Sequence, residues 1–161
     1  MIGDPGALIR EFAEVAPDLY TTAIDVEHEV LCAPHQPPSL RPGKAAVYVF
    51  SLSDSFGKGS PAGSHRVLKV GKASPNSNAR FQYQHYSLGS SGSNLAKSLL
   101  SHPILWPYLG LDELSETDVA EWIKSNTDRD HFYLDAKVGD ACLGDLERYL
   151  RARLGPVFEG G

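Results

Sequence analysis

Hydrophobic and polar positions along the chain change period several times, and each change predicts an element. In residues 6–16, Leu8, Ile9, Phe12 and Val15 share one helical face, and Pro17 predicts where that helix stops. Residues 33–43 carry Pro34, Pro37, Pro38 and Pro42, which predicts an extended connector. Ala45 to Leu52 is a run of small, β-branched and aromatic residues and predicts a strand. The Ser- and Gly-rich stretch 53–64 predicts a long hairpin loop. Arg66 to Gly71 predicts the returning strand, with Val67 and Lys69 on one face and Leu68 and Val70 on the other.

Ser74-Pro75-Asn76 predicts the cap of a helix carrying Arg80, Phe81 and Tyr83, and a second helix follows a Gly/Ser patch at about Asn94–Ser101. Thr117 is placed to cap Asp118–Lys124, whose Val119, Trp122 and Ile123 form an apolar stripe. His131–Ala136 predicts a third strand. The last helix spans about Gly139–Leu154, with Leu143, Leu146, Leu150 and Leu154 on one face and Gly155-Pro156 as its stop. Three strands among helices predict a small α+β domain.

At 161 residues the chain can bury one real core. It has no apolar run near the roughly 18 residues a membrane span needs. Met1-Ile2-Gly3-Asp4-Pro5 lacks a basic segment followed by a hydrophobic stretch, so no secretory signal is expected. Cys32 and Cys142 fit no zinc spacing and are expected to be free thiols of a cytoplasmic protein, with a single disulfide as the alternative. The net charge of −5 conceals an uneven distribution. Residues 1–38 hold seven acids and one base, 39–110 eight bases and one acid, and 111–161 twelve acids and six bases. A basic middle between acidic ends suggests a polyanion-binding face, the alternative being lysines and arginines that merely decorate loops.

Within that frame four side chains stand out. Glu147 falls at the edge of the leucine sector of the last helix, where a carboxylate must meet a cation, a metal or hydrogen-bond donors; the plainer reading is an ion pair with Arg151 at i+4. Arg80, early in its helix, is placed to hold a phosphate by two parallel hydrogen bonds or is simply a surface arginine. Tyr48 sits in the first strand, as sheet tyrosines commonly do. Lys69 interrupts an otherwise apolar strand.

Ala46-Val47-Tyr48 and Lys69-Val70-Gly71, the latter extended by Lys72-Ala73, resemble the two strand motifs that name the GIY-YIG nuclease family. Arg80 falls where that family has its helix arginine, and Gln84-His85-Tyr86 where it often has a His or Tyr. Leu143–Leu150, with Glu147, resembles the family's metal-binding helix, and Pro156-Val157-Phe158 its terminal Pro-x-aromatic signature. The likeness spans Ala45 to Phe158. It departs from the family pattern in having Ala46 for the first Gly, a longer loop between the strands, Lys69 for the second-motif Tyr and Glu159 for an Asn. Some restriction-enzyme members also resemble this chain in carrying Lys at that second-motif position.

The resemblance implies a three-stranded antiparallel sheet flanked by helices over residues 44–161, preceded by an acidic helical extension and Pro-rich connector, 1–43. It also implies a metal-dependent DNA endonuclease. Glu147 would bind Mg²⁺, with Mn²⁺ as a substitute. Tyr48, its pKa lowered by neighbouring cations, and Lys69 would activate water. Arg80 would neutralise the phosphate, and His85 would transfer a proton or touch phosphate. Lys44, Lys58 and Lys72 would contact the backbone of DNA or another nucleic acid. Cutting a duplex with one site suggests a homodimer, a larger nuclease assembly or sequential nicking. The competing readings are a catalytically inactive nucleic-acid-binding module of the same fold and a protein-interaction domain that docks through its acidic helix.

Overall fold

Strand β2 (Lys44–Leu52) carries the continuous apolar run, and every residue from Ala45 to Leu52 is buried because helices cover both faces of the sheet. The computed structural model describes residues 2–16, 24–53, 66–90, 92 and 94–158. The expected hairpin loop, apart from Ser53, lies outside them, as do Lys58 and Glu159. β3 is Val67–Ala73 and β4 is Thr127–Asp135. The sheet is antiparallel, but it has four strands where three were expected, in the order β1-β4-β2-β3. The added strand β1 (Val26–Leu31) comes from the N-terminal extension and pairs with β4, Val26 opposite Leu134 and Leu31 opposite Arg129. It escapes the pattern because Glu27, His28 and Glu29 interrupt its apolar alternation. Their partners are supplied from the sheet: His28 Nε2 lies 2.7 Å from Asp130, and Glu29 meets His131 and Tyr133.

β4 starts four residues earlier than expected. Its first half, Thr127-Asp128-Arg129-Asp130, is polar yet wholly buried, because the strand lies between β1 and β2. The predicted alternation in β3 is also broken. Ser51 pairs with Val67 and Phe50 with Lys69, leaving Leu68 as an unpaired bulge residue. Val67 and Lys69 therefore face opposite sides, since a bulge re-aims the side chains that follow it.

Helix α1 (Pro5–Val15) is capped by Asp4, whose carboxylate accepts from the Ala7 N–H at 3.0 Å. With α6 (Asp140–Leu154) it covers one face, where Phe12, Leu143, Leu146 and Leu150 pack on Val47, Val49 and Phe132. The other face carries α2 (Asn78–Gln82), α3 (Leu95–Ser101), α4 (Trp106–Leu109) and α5 (Val119–Asn126), packed on Tyr48, Phe50 and Tyr133. Asn94 caps α3, whereas Asp118 rather than Thr117 precedes α5 and makes no side-chain cap. Gly155, at φ 56°, ends α6. The chain then runs along the outer edge of β3, Val157 and Phe158 donating to the carbonyls of Val67 and Leu68. Arg151 donates to Val70 O at 3.3 Å. Beyond that point the β3 edge borders an open cleft. Among the described residues, no helix is long and apolar enough to cross a membrane, and both cysteines are free, Cys32 exposed and Cys142 buried.

Candidate active site

The cleft has a volume of about 370 Å³ and lies between the β3–α2 segment and α6. Lys72, Ser74, Ser77 and Arg80 line one wall; Asp140, Leu143 and Glu147 line the other. The first wall is shaped by a turn in which Ser74 and Ser77 hydroxyls pair at 2.8 Å and the Ser77 N–H bonds Ser74 O. α2 leaves that turn and presents Arg80 to solvent, with Phe81 turned into the core.

On α6, the leucine face holds the helix against the sheet and leaves Glu147 at the seam, 8% exposed. Its two carboxylate oxygens are held by different cations. Oε1 lies 3.0 Å from Arg151, the i+4 partner legible in the sequence, and Oε2 lies 3.5 Å from Lys72 Nζ. The Lys72 ammonium rests against Gly144, one turn before Glu147.

Below the cleft the floor is closed. Tyr48 is fully buried and its ring passes over Gly71, the residue opposite it on β3. A Cβ on Gly71 would lie 2.5 Å from the Tyr48 hydroxyl oxygen, so a glycine is required for the tyrosine to reach the sheet edge. Beside it His85 is also buried. The Leu95 N–H donates to His85 Nδ1 at 3.2 Å. A neutral imidazole with an acceptor Nδ1 carries its proton on Nε2, and Nε2 lies 2.5 Å from the Tyr48 oxygen. His85 therefore donates to Tyr48. Burial first, then the charges of Arg129, Lys69 and Arg80, hold its pKa well below the usual histidine value. Being sealed, His85 does not line the cleft and has no face toward a phosphate.

The Arg80 guanidinium lies near the same phenol and favours its ionised form. The expected lowering of the Tyr48 pKa is overturned. Burial dominates and raises it; Arg80 and Arg129 pull it down but do not prevail, and Glu147 adds to the rise. Lys69, 1% exposed, has an ammonium with no hydrogen-bond partner among the described residues. Burial, followed by repulsion from Arg151 and Arg80, lowers its pKa to about 8, against the pull of Glu147.

Tyr48, Lys69, Arg80 and Glu147 are thus brought into one electrostatic neighbourhood, with Lys72 above them. Lys44 is not. It pairs with Glu27 of β1 at 3.5 Å and does not line the cleft. Two arginines that the sequence reading did not single out for the site belong to its surroundings. Arg151 anchors Glu147. Arg129 is fully buried among the rings of Tyr48, Phe50, Phe81 and Tyr86, and donates to Tyr86 Oη at 3.1 Å and Phe81 O at 2.7 Å. No carboxylate pairs with it among the described residues. Its position in a polar tetrapeptide gave no local signal of this role.

Among the described residues no three His, Cys, Asp or Glu side chains cluster into a cage for a metal ion. The donor set suits a hard cation that takes one carboxylate and completes its shell with phosphate oxygens and water, for which the cleft has room. It does not suit zinc or a caged calcium ion. Comparison with known proteins adds no relative: no family model matches the chain, and neither the curated proteins nor the solved structures contain a match.

Proposed function

We propose that this chain is a metal-dependent endonuclease that hydrolyses DNA phosphodiesters, with a GIY-YIG-like arrangement of its site. The observation that carries the reading is Arg80 and Glu147 facing one cleft, with the buried Tyr48 and Lys69 close enough to feel both charges. Hydrolysis joins a water oxygen to phosphorus, breaks the P–O3′ bond, and needs a base for the water proton and positive charge at the phosphate. Arg80 is an exposed cation of the cleft whose charge acts on Tyr48 and Lys69. In turning to an incoming phosphate it uncovers the Tyr48 oxygen, which then positions the attacking water while His85 fixes the phenol from behind. Lys69, with a pKa of about 8, exists partly as the free amine near neutral pH, so it can take up the water proton. Glu147 would hold Mg²⁺, or Mn²⁺ in its place. When bound, the metal polarises the phosphate and stabilises the leaving 3′ oxygen.

One observation favours a binding module instead: both oxygens of Glu147 already face cations. Supercoiled plasmid incubated with Mg²⁺ or chelator, using wild type and Glu147→Ala, separates the two. The enzyme reading expects nicked or linear products from wild type with Mg²⁺ alone, and retained DNA binding without cleavage by the variant. Metal-dependent cleavage by Glu147→Ala at the wild-type rate removes the metal role. No cleavage by wild type in any divalent metal, with binding intact, leaves the module.

A further inference from the structure

The Lys72 ammonium occupies the side of Glu147 that faces the cleft. It lies 3.5 Å from Oε2, rests against Gly144, and is 45% exposed along its side chain. Arg151 holds the other oxygen at 3.0 Å and is also tied to the Val70 carbonyl. These two cations differ in what they can give up. Arg151 bridges helix and strand, so releasing Glu147 would also disturb the β3 edge. Lys72 has one long contact, a flexible stem and no other ion-pair partner among the described residues. A divalent ion approaching Glu147 from the cleft must take the position now influenced by Lys72, because two cations cannot share one oxygen at contact distance without strong repulsion.

We propose that Lys72 is the resident cation of the metal seat, and that a nucleic-acid phosphate draws it off, so that divalent metal and substrate bind with positive cooperativity. This rests on the proposed nuclease reading and adds an order to it. In the free protein, Lys72 neutralises Glu147 and keeps metal affinity low. When a phosphate enters the cleft, Lys72 exchanges the carboxylate for the phosphate oxygens, the Oε2 side opens, and the ion binds between carboxylate and phosphate. Free protein with metal alone is then a poor complex, and an assembled site forms only on substrate. By linkage, metal must strengthen substrate binding by the same factor as substrate strengthens metal binding.

The test is Mn²⁺ binding followed by electron paramagnetic resonance, with and without a short phosphorothioate oligonucleotide that resists hydrolysis. Glu147→Gln serves as the blank for ions bound elsewhere on protein or oligonucleotide. Wild type is expected to bind Mn²⁺ at least about fivefold more tightly with the oligonucleotide, the lower end of ordinary coupling between two sites. Lys72→Met, an exposed substitution that leaves the core untouched, is expected to bind Mn²⁺ more tightly than wild type in the absence of oligonucleotide. The oligonucleotide effect should shrink in that variant. Unchanged Mn²⁺ affinity in Lys72→Met, or an undiminished oligonucleotide effect, overturns the proposal while Glu147-dependent binding preserves the metal reading. Mn²⁺ binding that is the same in wild type and Glu147→Gln under both conditions overturns both.

Discussion

Replacing Lys69 by methionine exchanges a buried ammonium for a thioether of similar length, so packing is nearly conserved while the charge disappears. The free energy at stake follows from the shift. Lys69 falls from 10.5 to about 8 in the folded protein, and each pKa unit corresponds to about 1.36 kcal/mol, which gives a penalty of about 3 kcal/mol for keeping the ammonium charged. Below pH 8 both folded and unfolded chains carry this proton, so the penalty is complete at pH 7. Between pH 8 and 10.5 the unfolded chain holds the proton more often than the folded one, and wild-type stability recovers as pH rises. Lys69→Met is therefore expected to stabilise the protein by about 3 kcal/mol at pH 7 and by less than about 1 kcal/mol at pH 10. Paired urea titrations at the two pH values measure it. The same variant is expected to lose cleavage while keeping DNA binding, an exchange of activity for stability common where a site holds a strained charge. A variant that is less stable at pH 7, or whose advantage does not change with pH, would refute the assignment of Lys69 as a buried, poorly compensated cation.

Gly71→Ala puts a methyl 2.5 Å from the Tyr48 oxygen, and the aromatic ring has no space to retreat within the core. A loss of about 1–3 kcal/mol in thermal or urea unfolding is expected, with cleavage reduced more than DNA binding; a wild-type melting curve would show that the ring does not depend on that glycine. On the acid side, burial and Arg129 lower the pKa of His35 to about 4. Its stability contribution is complete above pH 6.5 and is lost as pH falls from there toward 4, by about 3 kcal/mol in all. Urea midpoints at pH 7 and 4.5 should fall steeply in wild type and less in His35→Gln; parallel falls would exclude this histidine as the source.

The parts of the fold legible in the sequence are those whose pattern is local. The β2 run, the four leucines of α6 and the Asn94 cap each announce themselves within a few residues. β1 was hidden because the partners of its His28 and Glu29, namely Asp130, His131 and Tyr133, lie about one hundred residues away. The first half of β4 was hidden because its polar side chains find most of their partners in the protein interior rather than in water. Arg129, for example, finds four aromatic rings and a tyrosine hydroxyl. Lys69 faces the side opposite to the one strict alternation from Val67 predicts, since no residue type at Leu68 signals a bulge. For the site, motif spacing was enough to collect Tyr48, Arg80 and Glu147. It carried no information on protonation, which depends on how deeply Tyr48 is enclosed. The basic middle of the chain was visible as charge but not as disposition. Lys44 and Arg41 are committed to Glu27 and Glu29, and Lys97 to the backbone carbonyls of Ser90 and Gly92.

The β1–β4 pairing gives residues before 44 a role that their composition alone disguises. Ile2 and His28 supply partners for the carboxylate of Asp130, which is completely enclosed, and Glu11 of α1 holds Tyr149 and Arg153 of α6, the helix that carries Glu147. The change in composition near residue 44 is therefore no seam in the packing. A cassette cut there for transplantation would arrive with a raw sheet margin, a stranded interior anion and a slackened wall beside Glu147.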